Sequence, residues 1–316
     1  MTELLKETDF PKLGRKYTGK VRDVYEQAER LVLITTDRHS SFDRLIAHIP
    51  HKGQVLNEIS AFWFEQTKDI VPNHVLAIPD PNVTIGKKCK PLPVEAVVRG
   101  YITGVTDTSL WTHYQKGKRD FGNFKLHDGM RKNEQLFRPV FTPSTKSDAH
   151  DRTLSSQEIV NEGILPRKTI DAIEEKALAL YERGAKIARE QGLILVDTKY
   201  EFGVLNGNGN GDGDIMLIDE IHTPDSSRYW QLESYAGRFA KGEEPEYFDK
   251  EFLRLWFKEH SDPYKDAQLP EAPPELVEEL SKRYIRMYEQ ITGEAFKPGK
   301  EPILPRIEKN LKSYAT

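Results

Sequence analysis

Hydrophobic and polar positions alternate in short runs at the front of the chain and repeat at helical spacing further on. Gly14 to Tyr17 leads into a turn around Gly19, Val21-Arg22-Asp23-Val24-Tyr25 alternates, and Leu31-Val32-Leu33-Ile34-Thr35-Thr36 is a buried run. Residues 13–36 are therefore expected to form a β-hairpin. A helix is expected over Val55 to Thr67, where Ile59, Phe62 and Trp63 share one face. Pro72, Pro79, Pro81, Pro91 and Pro93 punctuate short extended pieces, and Val94 to Ile102 reads as a buried strand. The lobe boundary falls just before that strand, near Cys89 to Pro93, dividing the chain into 1–93 and 94–316. Residues 116–151 are loop-rich, with Pro139 to Lys146 extended because each proline biases its predecessor away from helix. A long helix is expected from Lys168 to Gln191, with Ile170, Ile173, Ala177, Leu180, Tyr181, Ala185 and Ala188 as its stripe and Gly192 as its stop. Further helices are expected around Tyr247 to Glu259 and over Pro274 to Ile291, the latter burying Val277, Leu280, Tyr284, Tyr288 and Ile291.

Between the long helix and these last two lie a pair of strand-like segments with acidic ends, Leu193 to Gly203 and Ile215 to Ile221. The glycine-asparagine run from Asn206 to Gly213 can only be a turn, so the pair forms a hairpin and its carboxylates lie side by side. Adjacent carboxylates repel unless a cation or proton sits between them. A magnesium site is the simplest reading, and magnesium held by one or two carboxylates usually serves a nucleotide phosphate. Glu201 and Asp219 are the metal candidates, against the plain reading of a solvated hairpin rim. Lys199 shares a face with Asp197 and Glu201 by the two-residue strand period. It either neutralises them or holds a substrate carboxylate. Asp212-Gly213-Asp214 lacks the remaining ligands of a calcium loop.

Other segments carry weaker signals. Gly19-Lys20-Val21-Arg22 places two cations on alternate positions after a glycine, so that both face one way in a strand. That suits a phosphate lid and equally an ordinary exposed hairpin; it is not a Walker pattern. Arg99 ends an apolar strand and needs a partner, either a structural carboxylate or a bound phosphate or carboxylate. Arg228 is a second anion clamp. Thr142-Pro143-Ser144-Thr145-Lys146 offers three hydroxyls and one cation, as anion-binding segments and generic loops both do. Asp43, in Ser40-Ser41-Phe42-Asp43, follows a strand end, a position shared by sites and loops, and Lys52-Gly53 is similarly ambiguous. His150-Asp151 reads as a turn before it reads as a catalytic pair.

Composition narrows the class. The chain has 316 residues, 30% charged and 37% hydrophobic, which suits a globular protein with a large core. A net charge of -4 provides no general drive toward nucleic acid or anionic membrane. The single cysteine, Cys89, excludes an intramolecular disulfide and a cysteine-rich zinc site, and fits a reducing cytoplasm. No signal-peptide core and no stretch of membrane-spanning length is present.

Five segments, in this order, resemble the SAICAR synthetase family: Gly19 to Tyr25, Ser40 to Asp43, Val97 to Tyr101, Val196 to Gly203 and Asp219 to Arg228. The resemblance extends over about residues 13–300. It implies a step of purine biosynthesis in which ATP, carboxyaminoimidazole ribonucleotide (CAIR) and L-aspartate give ADP, phosphate and the succinocarboxamide SAICAR. The implied fold is α+β and two-lobed, with a β-rich N-terminal lobe and a larger mixed C-terminal lobe sandwiching ATP as a kinase does. By that likeness Gly19, Lys20, Val21 and Arg22 lie at the ATP phosphates, and Lys88 to Glu95 is an interlobe hinge beside the adenine. Glu201 and Asp219 carry Mg2+. Arg99 and Arg228 hold the ribonucleotide phosphate, Asp225 lies near the ribose, and Lys199 near the reacting carboxylate. Asp43 and Lys146 belong to the substrate end of the cleft, and both Asp43 and Asp197 stay open as general base. One departure is the stretch Val105 to Thr108, taken as an insertion that makes Ser109 the substrate-binding serine; otherwise Thr106 or Thr108 takes its place. A kinase is disfavoured because no His-Arg-Asp or Asp-Phe-Gly sequence occurs. A silent nucleotide-binding protein is disfavoured by the intact Lys20, Glu201 and Asp219. A cytoplasmic monomer or small homo-oligomer is expected.

Overall fold

The computed structural model describes residues 2–42, 44–106, 108–146, 152–206, 213–247 and 251–315. Near the N-terminus β1 (Arg15–Thr18), β2 (Arg22–Glu26) and β3 (Arg30–Thr35) form an antiparallel meander. The expected hairpin thus gains a third strand, because Gln27 donates its N–H to the Arg30 carbonyl at 3.0 Å and closes a second turn. A small hairpin, β4 (Arg38–Ser41) and β5 (Arg44–His48), and helix α1 (Lys52–Thr67) follow. Then β6 (Val75–Asp80) and β7 (Val83–Lys87) complete a five-stranded sheet in the order β1-β2-β3-β7-β6. Alternation puts Tyr25, Val32, Ile34, Val83 and Ile85 on its buried face.

The second sheet is built on two 13-residue strands. They are β8 (Lys90–Ile102) and β11 (Leu193–Leu205), paired antiparallel. Pro93 fits into β8 because it falls within a register shift between Glu201 and Gly203, and Pro91 stands opposite Gly203 at the edge of that shift. Strands β9 (Glu134–Phe141) and β10 (Ser144–Thr145) flank β8. Strands β12 (Asp214–Ile218) and β13 (Ser227–Gln231) pair with different lengths of β11. The acidic hairpin is therefore present; residues 207–212 of its turn lie outside the described residues.

Short helices α2 (Leu110–Gln115) and α3 (Ser156–Asn161) precede the long α4 (Arg167–Glu190), which buries the expected stripe, with Ala185 half-buried. Gly192 ends α4 at φ 73°, a left-handed conformation that glycine adopts without strain. Helix α5 (Leu232–Lys241) was not expected, and α6 (Glu251–His260) begins later than the sequence suggested. Helices α7 (Pro274–Thr292) and α8 (Ile303–Asn310) close the chain.

One large core joins the second sheet to α1, α4 and α7, through Ile59, Trp63, Ala96, Val98, Ile173, Leu180, Tyr200 and Leu280. A separate core under the first sheet takes in Ile307 of α8, together with Leu5, Leu13 and Leu311. Thus α1, from the front of the chain, packs with the central sheet, and the C-terminal helix returns to the first one.

Candidate active site

The register of β8 against β11 sets Arg99 opposite Asp197, Val97 opposite Lys199 and Glu95 opposite Glu201. Strand alternation sends these side chains to one face, while Ala96, Val98 and Tyr200 enter the core on the other. The candidate site is this polar face of the central sheet, and it has two differently charged ends.

At one end Arg228 of β13 and Arg99 of β8 flank Asp197, each with Nη1 3.6 Å from its Oδ2. That is too long for a hydrogen bond, and among the described residues the buried Oδ2 has no hydrogen-bond partner. Arg99 donates from Nε to Thr142 Oγ1 at 2.9 Å. Burial, reinforced by Arg228, pulls the pKa of Arg99 down against the opposing pull of Asp197. Ser109 caps the N-terminus of α2. It meets Arg228 at Gly104, where a Cβ would stand 2.5 Å from Ser109 Cβ and 3.6 Å from Arg228 Nη1. Only glycine fits there, since φ is 100° as well.

At the other end Lys199 Nζ lies 2.6 Å from Glu95 Oε1 and 3.8 Å from Glu201 Oε1. Lys146 takes the second oxygen of Glu201. Glu95 and Glu201 face each other across the strands and would repel alone; the two lysines neutralise them. Burial acts to lower the pKa of Lys199, but Glu95, Glu201 and Asp219 outweigh it and hold the ammonium charged. Asp219, just past β12, adopts φ 65°. Its Oδ1 receives Arg22 Nη1 at 2.9 Å, while Arg22 Nη2 reaches Glu220 Oε2 at 3.0 Å. Against the penalty of burial, Asp219, Glu220 and Asp225 raise the pKa of Arg22.

The turn before Arg22 corrects one expectation. The Gly19 N–H bonds the Arg22 carbonyl at 2.8 Å, so Lys20 and Val21 stay in the turn, outside the strand. Lys20 is exposed and Arg22 half-buried, so the two cations do not share a strand face. Asp225 pairs with the fully buried Lys52 at 2.7 Å and accepts from the Tyr284 hydroxyl. Cys89 packs with Met216 and Ile218, and burial raises its pKa. Asp43, His150 and Asp151 lie outside the described residues.

Glu95 and Glu220 were missed by the sequence reading. Glu95 stands four residues before Arg99, so the strand period alone puts the two on one face. Glu220 carries no comparable signal, because the chain leaves the strand at Asp219.

The acidic end has oxygen donors suited to a hard cation such as magnesium. Among the described residues no three His, Cys, Asp or Glu side chains come together as a metal cage. Magnesium does not need one, since it keeps waters and substrate phosphates beside one or two carboxylates. Glu201 and Asp219 fit that mode. Among the described residues no helix is long and apolar enough to cross a membrane.

The family profile described as SAICAR synthetase matches residues 15–270. The phosphoribosylaminoimidazole-succinocarboxamide synthase of Legionella pneumophila (strain Lens) is 54% identical over 314 residues, 98% of each chain. The chloroplastic enzyme of the same name from Arabidopsis thaliana is 54% identical, over 98% of this chain and 76% of that one. Among solved structures, SAICAR synthase from Saccharomyces cerevisiae complexed with SAICAR has a TM-score of 0.79 and 31% identity, covering 93% of this chain and 100% of that one. The chain belongs to the SAICAR synthetase family.

Proposed function

We infer that the two-ended face of the central sheet joins L-aspartate to the carboxylate of CAIR, with ATP giving ADP and phosphate. The chain is an ATP-dependent ligase of purine biosynthesis. The observation that carries the site reading is the separation of charge along β11. A pair of arginines surrounds Asp197, and an acid-rich cluster surrounds Lys199 and Glu201, four residues or about 13 Å further along the strand. A ribonucleotide laid along it has its phosphate at the first end and its base substituent toward the second.

In this reading Arg99, Arg228 and Ser109 hold the CAIR phosphate, and the buried Asp197 sets the two guanidinium groups side by side. Asp225, fixed by Lys52, bounds the ribose. Lys199 meets the CAIR carboxylate, with the Lys146 segment closing the substrate end. Gly19, Lys20, Val21 and Arg22 bring the first sheet to the ATP phosphates, and 88–95 is the hinge between lobes 1–93 and 94–316. Glu201 and Asp219 would hold Mg2+, which supplies charge neutralisation between the ATP phosphates.

A carboxylate resists an amine because its carbonyl is electron-rich and oxide is a poor leaving group. Transfer of the γ-phosphoryl group to a CAIR carboxylate oxygen gives an acyl phosphate. The aspartate amine adds to that carbon, and the C–O bond breaks to release phosphate. The amine proton passes to a carboxylate, Asp197 or Asp43. Lys199 and the arginines supply positioning and charge, which is most of what such a reaction asks of a protein. Small soluble substrates fit a cytoplasmic protein, as a monomer or a small homo-oligomer.

The test is ADP release by purified protein with magnesium-ATP, CAIR and L-aspartate, omitting each in turn, with SAICAR followed directly. Release that requires all three, with SAICAR formed, is expected. Release without aspartate points to a kinase or a leaking acyl phosphate, and no release from folded protein removes the reading.

A further inference from the structure

Glu95 makes the closest contact of Lys199. Its Oε1 is 2.6 Å from Nζ, against 3.8 Å for Glu201 Oε1. Glu95 is well buried, its side chain 12% exposed, and sits directly across the sheet from Glu201. Lys146, just after β10, Glu201 and Lys199 of β11 and Glu95 of β8 thus alternate in charge along one chain of contacts. In that row Lys199 has a choice of carboxylates, and it is drawn toward β8.

We propose that Glu95 is a positioning residue: it holds the Lys199 ammonium on the β8 side and so keeps Glu201 open to a divalent cation. The proposal rests on the reading in which Lys199 meets the substrate carboxylate and Glu201 is a metal ligand. Lys199 is rooted two residues from Glu201 on the same face of one strand, about 7 Å away. Its flexible stem easily covers the remaining gap once Glu95 is gone. Lys199 then closes on Glu201, which Lys146 already holds from its other oxygen. Both Glu201 oxygens become ion-paired and the ammonium no longer faces the substrate. A Glu95 that served only as a partly solvated ion pair would matter little, because such pairs contribute weakly.

The test compares wild type with Glu95→Ala, Lys199→Met and the double variant. The first readout is Mn2+ binding in the presence of ADP, followed by electron paramagnetic resonance, which needs neither CAIR, aspartate nor turnover. Glu95→Ala is expected to weaken Mn2+ binding about 10-fold, and adding Lys199→Met to restore it to within about 3-fold of wild type, the signature of coupled neighbours. The second readout is kinetic: Glu95→Ala lowers kcat about 100-fold, because Lys199 no longer faces the substrate, and raises the KM for ATP about 10-fold in step with the weaker metal. The double variant stays inactive despite its restored metal binding, and Glu95→Asp recovers part of kcat. Should Glu95→Ala not fold, the isosteric Glu95→Gln carries the same expectations in reduced size. Wild-type Mn2+ affinity in Glu95→Ala overturns the proposal. So does a double variant as weak as Glu95→Ala, which would make Glu95 itself a metal ligand. A wild type with no aspartate-dependent turnover removes the ligase reading instead, and the Mn2+ comparison distinguishes the two failures.

Discussion

Around Asp197 two arginines flank one carboxylate at 3.6 Å, whereas around Lys199 and Arg22 acids and cations close to between 2.6 and 3.0 Å in three of their contacts. Both ends are built on the same strand, β11, and their central carboxylates, Asp197 at one and Glu95 and Glu201 at the other, are covered to a similar degree. The first has one more cation than acid. The second, counting Glu95, Glu201, Asp219 and Glu220 against Lys146, Lys199 and Arg22, has one more acid than cation. Burial therefore does not distinguish the ends. The sign of the residual charge does: an anion complements the first and a cation the second, as the proposed placement of a ribonucleotide phosphate and a metal requires.

The strongest test of that contrast is Asp219→Asn. It keeps the shape and removes the excess charge at the acidic end. Turnover is expected to fall by about 1000-fold or more, roughly 4 kcal/mol of transition-state stabilisation. Thermal unfolding should move little, because Asp219 is partly exposed. Retained activity with ordinary magnesium dependence would take Asp219 out of the metal site and dissolve the contrast. Next in size is Arg228→Ala at the basic end. Losing one charge-assisted contact to a phosphate costs about 1.5 to 3 kcal/mol, so the KM for CAIR should rise roughly 10- to 100-fold. The kcat should change by only a few-fold. An unchanged apparent affinity for CAIR would mean that Arg228 serves Asp197 alone.

How far the sequence showed this contrast depends on the distance over which each contact forms. The β11–β12 hairpin and helix α4 were legible because their signals are local: a turn-forming run between apolar strands, and a seven-residue stripe. Helix α5 was not, although Leu232, Tyr235, Ala236 and Phe239 recur at helical spacing, because it spans only ten residues and fully buries none of them. Its Tyr235 stacks instead on Trp230 of β13. Arg99, Asp197 and Arg228 were singled out separately, but their meeting needs three strands in register. Asp225 looked like a site residue, yet its partner Lys52 lies 173 positions earlier, and no spacing rule reaches that far. Lys20 and Arg22 share one face only if both lie in a strand; the turn bond from Gly19 to the Arg22 carbonyl leaves Lys20 in the turn and starts the strand at Arg22. Glu95 was overlooked for the opposite reason. A lone glutamate between Val94 and Ala96 reads as an ordinary solvent-facing position until Lys199 is seen to bond it.

A smaller effect is expected from Arg22→Met, which removes the cation that now holds Asp219 and Glu220. In protein without nucleotide, Mn2+ binding should tighten about 3- to 10-fold, because the metal no longer displaces a guanidinium from Asp219. ATP binding should weaken in the same variant, since the charge facing the phosphates is gone. Unchanged Mn2+ binding would show that arginine and metal do not compete for this carboxylate, and that the acidic end is not held closed by its own cation.

The smallest expected effect lies behind the site, where the core face of β11 sets the acid limit of the fold on which both ends depend. His222 accepts or donates to the Tyr200 hydroxyl at 2.6 Å, and burial pushes its pKa down from 6.5 to about 3; buried His74 falls to about 4. Unfolding returns both to their ordinary value, so the unfolded chain binds more protons and stability is lost as pH falls below 6.5. Asp37 and Glu58 act in the opposite sense. Burial raises them to about 6 and about 7, so in the window above their ordinary values the folded chain binds more protons. Their contribution is full at low pH and is lost as pH rises through 6 and 7. The two pairs oppose each other between about pH 4.5 and 6.5, where the urea midpoint of the wild type is expected to stay nearly level. Glu58→Gln removes one opposing group while keeping its shape, so its midpoint should fall more steeply on acidification. If the variant and the wild type share one slope, Glu58 does not hold a proton in the fold. If the wild type itself falls steeply from pH 6.5, the buried histidines act unopposed.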